Sequence, residues 1–140
     1  MNETTLSPNT NNKPDDEITR LQKYWKYKVA QLGEEHPDTL AALDKLAREC
    51  LAKGRYAEAE SFLRQALQLR EKQLAESDPD LVATVIQLGT VLAKQNKLTE
   101  AESLWMRAWE TGEYLLGKDH PLTESASEKL QLLRQLNQSQ

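Results

Sequence analysis

Apolar residues recur three or four positions apart along most of this chain, a spacing that places them on one face of an α-helix. The spacing predicts four amphipathic helices in the middle of the sequence, over residues 38–53, 56–73, 80–95 and 98–115. Gly54 and Asn96 fall between the members of each pair of helices. Both residue types tolerate the positive φ that a sharp chain reversal needs. The pattern therefore predicts two helical hairpins.

Two further amphipathic segments flank these hairpins. Ile18, Leu21 and Trp25 have helical spacing within residues 15–31 and predict an N-terminal helix. Within residues 116–136, one apolar stripe predicts a last helix whose other faces are polar, as in a helix that caps an array; it consists of Leu122, Ala126, Leu130, Leu133 and Leu136. Residues 1–14 and 137–140 are predicted to be tails, the first of them disordered because it is polar and lacks periodicity. The fold class is all-α, with about six helices.

The two hairpins are copies of one repeat. When the chain is shifted by 42 residues, residues 32–73 align with residues 74–115, and 12 of the 42 pairs are identical. A third copy begins at Leu116 with L-G-K-D-H-P, which is similar to L-G-E-E-H-P at Leu32, and it ends after one helix. Repetition at such a period is typical of a solenoid, in which each unit buries its apolar face against its neighbours. We therefore expect one helical domain over residues 15–136, with repeat 1 at 32–73 and repeat 2 at 74–115.

The spacing of small and large residues within each repeat carries a family resemblance. Repeat 1 reads Leu43, Leu46, Ala47 and Cys50, then Ala59 and Leu63, and repeat 2 reads Val85, Leu88, Gly89 and Leu92, then Ala101 and Trp105. These follow the tetratricopeptide pattern W-x2-L-G-x2-Y and A-x3-F in spacing and size. With the 42-residue period and the phrase A-L-Q-L-R-E-K, the chain resembles the kinesin-light-chain-like subfamily of tetratricopeptide repeats. The resemblance implies a right-handed superhelix of antiparallel helices.

The resemblance also implies a function and a binding surface. Such a chain is expected to be an adaptor that binds a peptide or a partner protein in a concave groove lined by the first helix of each repeat. The groove residues that follow are Asp44, Lys45, Arg48, Leu51, Ile86, Gln87, Thr90, Lys94, Glu128, Lys129 and Leu132. Relatives that clamp a C-terminal carboxylate carry Lys and Asn where this chain has Asp44, Arg48, Ile86 and Thr90, so that partner class is not implied. The alternative is a structural self-association module that forms a homo-oligomer through its end faces. The chain is expected to be a monomer or a weak homodimer.

Composition excludes several other classes of partner. The net charge is −4 and the pI about 5.3, whereas a general nucleic-acid binder needs an excess of Lys and Arg. No run of 18 apolar residues is present that would span a membrane, and the first residues lack the basic and apolar regions of a secretory signal. A single cysteine permits no internal disulfide and suits a reducing compartment, which indicates the cytoplasm.

The chemistry-bearing residues predict neither an enzyme nor a cofactor or metal site. His36 and His120 both precede a proline at a helix start and are expected to lie two repeats apart. Cys50 falls on the buried side of a helix without a histidine beside it, so we expect a core residue. Trp109 is expected to pack against the last helix, or else to face a partner. Arg20, Lys23, Lys26 and Tyr27 share one side of the first helix, which is either its solvated face or a surface for an acidic peptide or a phosphate.

Overall fold

A computed structural model of the chain describes residues 16–73 and 79–138. These residues form six α-helices and no strand, which confirms the all-α superhelix. The helices are α1 (Glu17–Leu32), α2 (Pro37–Ala52), α3 (Tyr56–Gln73), α4 (Pro79–Lys94), α5 (Leu98–Leu116) and α6 (Pro121–Gln138). The predicted disordered tail at residues 1–14 lies outside the described residues, as do 139 and 140. The last helix continues to Gln138, beyond the end expected at residue 136.

Polar side chains and prolines determine where the helices begin. Asp16 accepts a hydrogen bond from the Thr19 backbone N–H at 2.8 Å and caps α1. The Nδ1 atom of His36 accepts from the Asp38 N–H at 3.0 Å, and that of His120 from the Leu122 N–H at 3.1 Å. Each histidine thus satisfies a backbone donor that the first helical turn leaves unpaired. The recurring His-Pro phrase is a helix-start signal.

Tight turns make the two helices of each repeat antiparallel neighbours. Gly54 ends the α2–α3 turn with φ of 75°, and Asn96 takes the same place between α4 and α5 with φ of 64°. Each helix packs on the next along the chain, and α4 also contacts α6. The result is an inner row of α2, α4 and α6 and an outer row of α1, α3 and α5. We call the side of α2, α4 and α6 that faces away from the outer row the inner surface.

Small residues allow the rows to approach each other closely. Ala59 and Ala66 in α3 and Ala101 and Ala108 in α5 are fully buried. At Gly89 of α4, a Cβ atom would lie only 2.5 Å from the Trp105 Nε1 atom. The Trp105 indole N–H donates to the Ile86 carbonyl at 3.1 Å, so the large ring covers α4 with its polar atom satisfied. The continuous core between the rows fixes the positions of the inner-surface residues.

Candidate functional site

Most of the groove residues that the family resemblance implied are at least partly exposed on the inner helices. Lys45 and Arg48 of α2, Lys94 of α4, and Glu128 and Leu132 of α6 are exposed, Leu132 to 61% of its full extent. Leu51, Gln87, Thr90 and Lys129 are half-buried. These residues are distributed over all three inner helices.

Ile86 differs from the expectation. It is 6% exposed and belongs to the hydrophobic core, so its side chain offers no apolar anchor at the surface. Ile86 occupies the repeat position of Asp44, and the bulky aliphatic side chain fills the space between packed helices. The expectation that Ile86 faces a partner is corrected on this point.

Asp44 is exposed in part but is bound within the fold. Its two carboxylate oxygens accept hydrogen bonds from the Arg70 guanidinium at 2.7 and 2.6 Å. Arg70, a buried residue of α3, also donates to the Thr84 hydroxyl of α4 at 2.9 Å. A bidentate pair of this kind is geometrically demanding and joins α2, α3 and α4 at the boundary between the repeats. Asp44 therefore has a structural role that its groove position did not indicate.

Two other inner-surface residues make local contacts. The Thr90 hydroxyl donates to the Ile86 carbonyl of its own helix at 3.0 Å. The Lys129 ammonium lies 6.0 Å from the centre of the Trp105 ring, at the outer limit of a cation–π contact. Both side chains are held close to the backbone surface rather than extended into solvent.

The predicted groove residues are more basic than the chain as a whole. Lys45, Arg48, Lys94 and Lys129 supply four positive charges, and Glu128 supplies a negative one. Asp44 is neutralised by Arg70. On a chain of net charge −4, these residues thus carry an excess of cations, and a local excess of one sign attracts ligands of the other.

Two clefts that sequence reasoning did not identify lie at the ends of the array. The first, of about 590 Å³, lies between α1 and α2 and is lined by Glu17, Arg20, Leu21, Tyr24, Lys28, Asp38, Ala41, Ala42 and Lys45. The second, of about 540 Å³, lies between α5 and α6 and is lined by Trp109, Glu113, Lys118, Thr123, Glu124, Ser127, Glu128 and Gln131. Arg20 of the predicted basic stripe and Lys45 of the predicted groove both line the first cleft, and Glu128 of the predicted groove lines the second. Trp109 is half-buried at the second, consistent with packing against the last helix.

Ion pairs and hydrogen bonds on the outer side strengthen the connection between the repeats. Glu60 of α3 accepts from the Gln95 side chain at 2.9 Å and pairs with Arg64 and Lys97. The bond from Gln95 is the main reason that the pKa of Glu60 is lowered. Farther along, Arg107 of α5 pairs with Glu71 of α3. These contacts hold α3 against the α4–α5 hairpin.

The described residues carry little reactive chemistry. Cys50 is fully buried, and burial, followed by the nearby charge of Glu58, raises the pKa of its thiol. Within residues 16–73 and 79–138, no group of three or more His, Cys, Asp or Glu side chains could hold a metal ion. None of the helices in this part of the chain is both long and apolar enough to cross a membrane.

Comparisons with known proteins agree with this architecture. Two family models, each described as a tetratricopeptide repeat, match residues 27–72 and 82–122. A comparison with curated protein sequences gave no match.

Several solved structures are similar to this chain in fold. Two structures of nearly identical tetratricopeptide-like repeats of a kinesin light chain from Podospora anserina are similar to 86% of this chain, with 24% and 25% identity and TM-scores of 0.77 and 0.76. This chain spans 57% of the length of each. The N-terminal domain of stress-induced protein-1 from C. elegans is similar over 85% of this chain and 95% of its own length, with 15% identity and a TM-score of 0.56.

Proposed function

Because the chain belongs to the tetratricopeptide repeat family, whose repeats mediate protein–protein interactions, we propose that it is a non-catalytic adaptor that binds an acidic peptide segment on its inner surface. The cations of that surface are the observation that carries the proposal. Lys45, Arg48 and Lys94 are exposed on a chain whose net charge is negative.

Apolar contacts complete the proposed site. Leu132 is exposed on α6 and Leu51 is half-buried on α2, so each offers aliphatic surface near the cations. An interface of this kind derives affinity from a few buried anchors and orientation from the surrounding charges. The proposed ligand is therefore a peptide that carries Asp or Glu together with at least one large aliphatic residue. A cytoplasmic location is part of the proposal and rests on the single cysteine.

Peptide display on the purified full chain tests this proposal. Peptides selected on the wild-type protein should be enriched in Asp and Glu with an aliphatic residue nearby. Combining Arg48→Glu with Lys94→Glu should weaken a selected peptide by about tenfold, or about 1.4 kcal/mol. Lys26→Glu is the control for charge reversal, because it makes on an exposed position of α1 the same change that each of the two substitutions makes on the inner helices.

Two results would reject the inner surface as the site. One is a selected pool without acidic enrichment. The other is unchanged peptide affinity in the double variant while circular dichroism shows wild-type helicity. An equal loss in Lys26→Glu would indicate a general charge effect and would also count against the proposal.

A further inference from the structure

Within residues 16–73 and 79–138, the two ends of the array present helices of opposite type, each without the partner helix that the other could supply. α1 lies one 42-residue period before α3 and is an outer helix, whereas α6 lies one period after α4 and is an inner helix. Between them, α3 and α5 each pack on the inner helix that precedes them. Among the described residues, no inner helix precedes α1 and no outer helix follows α6. The first cleft lies where that inner helix would pack, and the second where that outer helix would pack.

We propose that these ends bind each other in separate copies of the chain. In this arrangement, α6 of one copy and α1 of the next form a composite hairpin, and the solenoid continues from copy to copy. The proposal makes the end-face alternative specific and does not depend on peptide binding by the inner surface.

The first argument is a charge pair in register. Within the chain, Asp44 of α2 binds Arg70 of α3. Two periods after Asp44 comes Glu128 of α6, and one period before Arg70 comes Lys28 of α1. The composite hairpin therefore places Glu128 of one copy opposite Lys28 of the next, with the signs of the internal pair retained. Glu128 lines the second cleft and Lys28 the first.

A second pair follows from the outer row by the same register. Glu71 of α3 binds Arg107 of α5. Glu113 lies one period after Glu71, and Lys23 lies two periods before Arg107. When α1 of the next copy follows α5 in the outer row, Glu113 and Lys23 occupy the places of the bound pair. At the junction between copies, the positions equivalent to two internal ion pairs therefore carry residues of the same charge signs as those pairs.

The facing sides of the two end helices carry complementary charges at positions where the internal helices α2 and α3 are apolar. Cys50 of α2 and Ala59 of α3 are fully buried where these helices meet beside their turn. Their counterparts in the composite hairpin are Arg134 of α6 and Glu17 of α1, both exposed. Because the helices run antiparallel, Glu128 in the first half of α6 meets Lys28 in the second half of α1, while Arg134 meets Glu17.

The same comparison indicates that the junction is weak and sensitive to salt. Tyr24, which is 50% exposed, occupies the place of the buried Ala66, so the composite helices cannot approach as closely as α2 and α3. Association through solvated charges is screened by salt. The contact joins two different surfaces, so it yields stacks that grow with concentration rather than a closed dimer.

Sedimentation velocity of the full chain in low salt tests the inference with two charge reversals. Lys28→Glu places two carboxylates opposite each other, and Glu128→Lys places two ammonium groups opposite each other. Each variant alone should be monomeric at concentrations at which the wild type associates. An equimolar mixture of the two should associate again, because every junction in it can pair Glu with Lys. Raising the salt concentration from about 50 to about 500 mM should weaken wild-type association by about tenfold.

Lys26→Glu is the control for net charge and should associate as the wild type does. A wild-type chain that stays monomeric up to about 1 mM in low salt would overturn the inference. So would a wild-type dimer of fixed size, or variants that associate normally, or a mixture that remains monomeric. Lys28→Glu should retain the selected peptide's affinity, which separates this result from the test of the inner surface.

Discussion

Arg70 illustrates how one residue determines the environment of several others. Its guanidinium binds Asp44 and the Thr84 hydroxyl, and that hydroxyl donates to the Asp80 carbonyl at 2.7 Å. One period later the same three places hold Ile86, Gly112 and Ala126, an apolar set without a charge. Equivalent positions in the array are thus filled once by an ion pair and once by apolar residues.

Replacing Arg70 with Met should destabilise the protein by about 3 kcal/mol, because it leaves the Asp44 carboxylate without its partner in a largely buried place. Urea unfolding followed by circular dichroism measures this change. Adding Asp44→Leu to Arg70→Met should recover most of the loss, since the pair then resembles the apolar set of repeat 2. A single variant within about 0.5 kcal/mol of the wild type would show that the ion pair contributes little.

Sequence reasoning placed Asp44 in the groove and could not assign its partner. The two residues are 26 positions apart, on different helices, and their contact depends on the rotation of each helix about its axis. The same limitation explains why Ile86 was expected to be exposed. The sequence placed it on an inner helix but did not predict that its side chain is buried. Whether a residue at that position is covered depends on the neighbouring helix and not on its own spacing.

The helices themselves could be read from the sequence to within a residue or two at most ends. Apolar spacing identifies a helix because only one face of each is buried, and His36 and Pro37 mark a start that the structure reproduces. Pairing of the helices followed from the short turns at Gly54 and Asn96. The short distance between α4 and α5 could not be predicted from the sequence, because it depends on Gly89 and Trp105 together.

Gly89→Ala should destabilise the α4–α5 packing by about 2 kcal/mol, since the new methyl group would overlap the Trp105 ring. Repeat 1 has Ala47 and Leu63 at the equivalent places, both buried. The combination of Gly89→Ala with Trp105→Leu should therefore be more stable than Gly89→Ala alone. Thermal unfolding of the two variants gives the comparison, and a double variant no better than the single one would contradict a direct clash.

At the scale of the whole molecule, stability should be highest in the middle of the array. α4 contacts α3, α5 and α6, whereas α1 contacts α2 as its main neighbour. In a solenoid, the free energy of local opening increases with the number of interfaces that a repeat unit shares. The end clefts belong to this scale as well. They were absent from the sequence-based expectation because each depends on how two helices at an end of the described array pack against each other.

Hydrogen exchange of dilute protein should therefore slow from the ends toward the centre. Amides of α4 should exchange about tenfold or more slowly than those in the middle of α1, because α1 can open without disrupting the second repeat. Mass spectrometry of peptic fragments resolves the six helices. Equal protection of all helices would indicate that the array opens as a single cooperative unit.

The matched differences between the repeats also restrict how a gene for this chain can change. Deletion of residues 74–115, the second 42-residue block, would join α3 directly to α6. Arg70 would then meet Ala126 where it now meets Thr84. Such a shortened array would lose a buried hydrogen bond at its new boundary. The number of repeats therefore depends on the residues at each boundary between repeats. A gene that gained or lost a block would also need point mutations that restore the contacts at the new boundary.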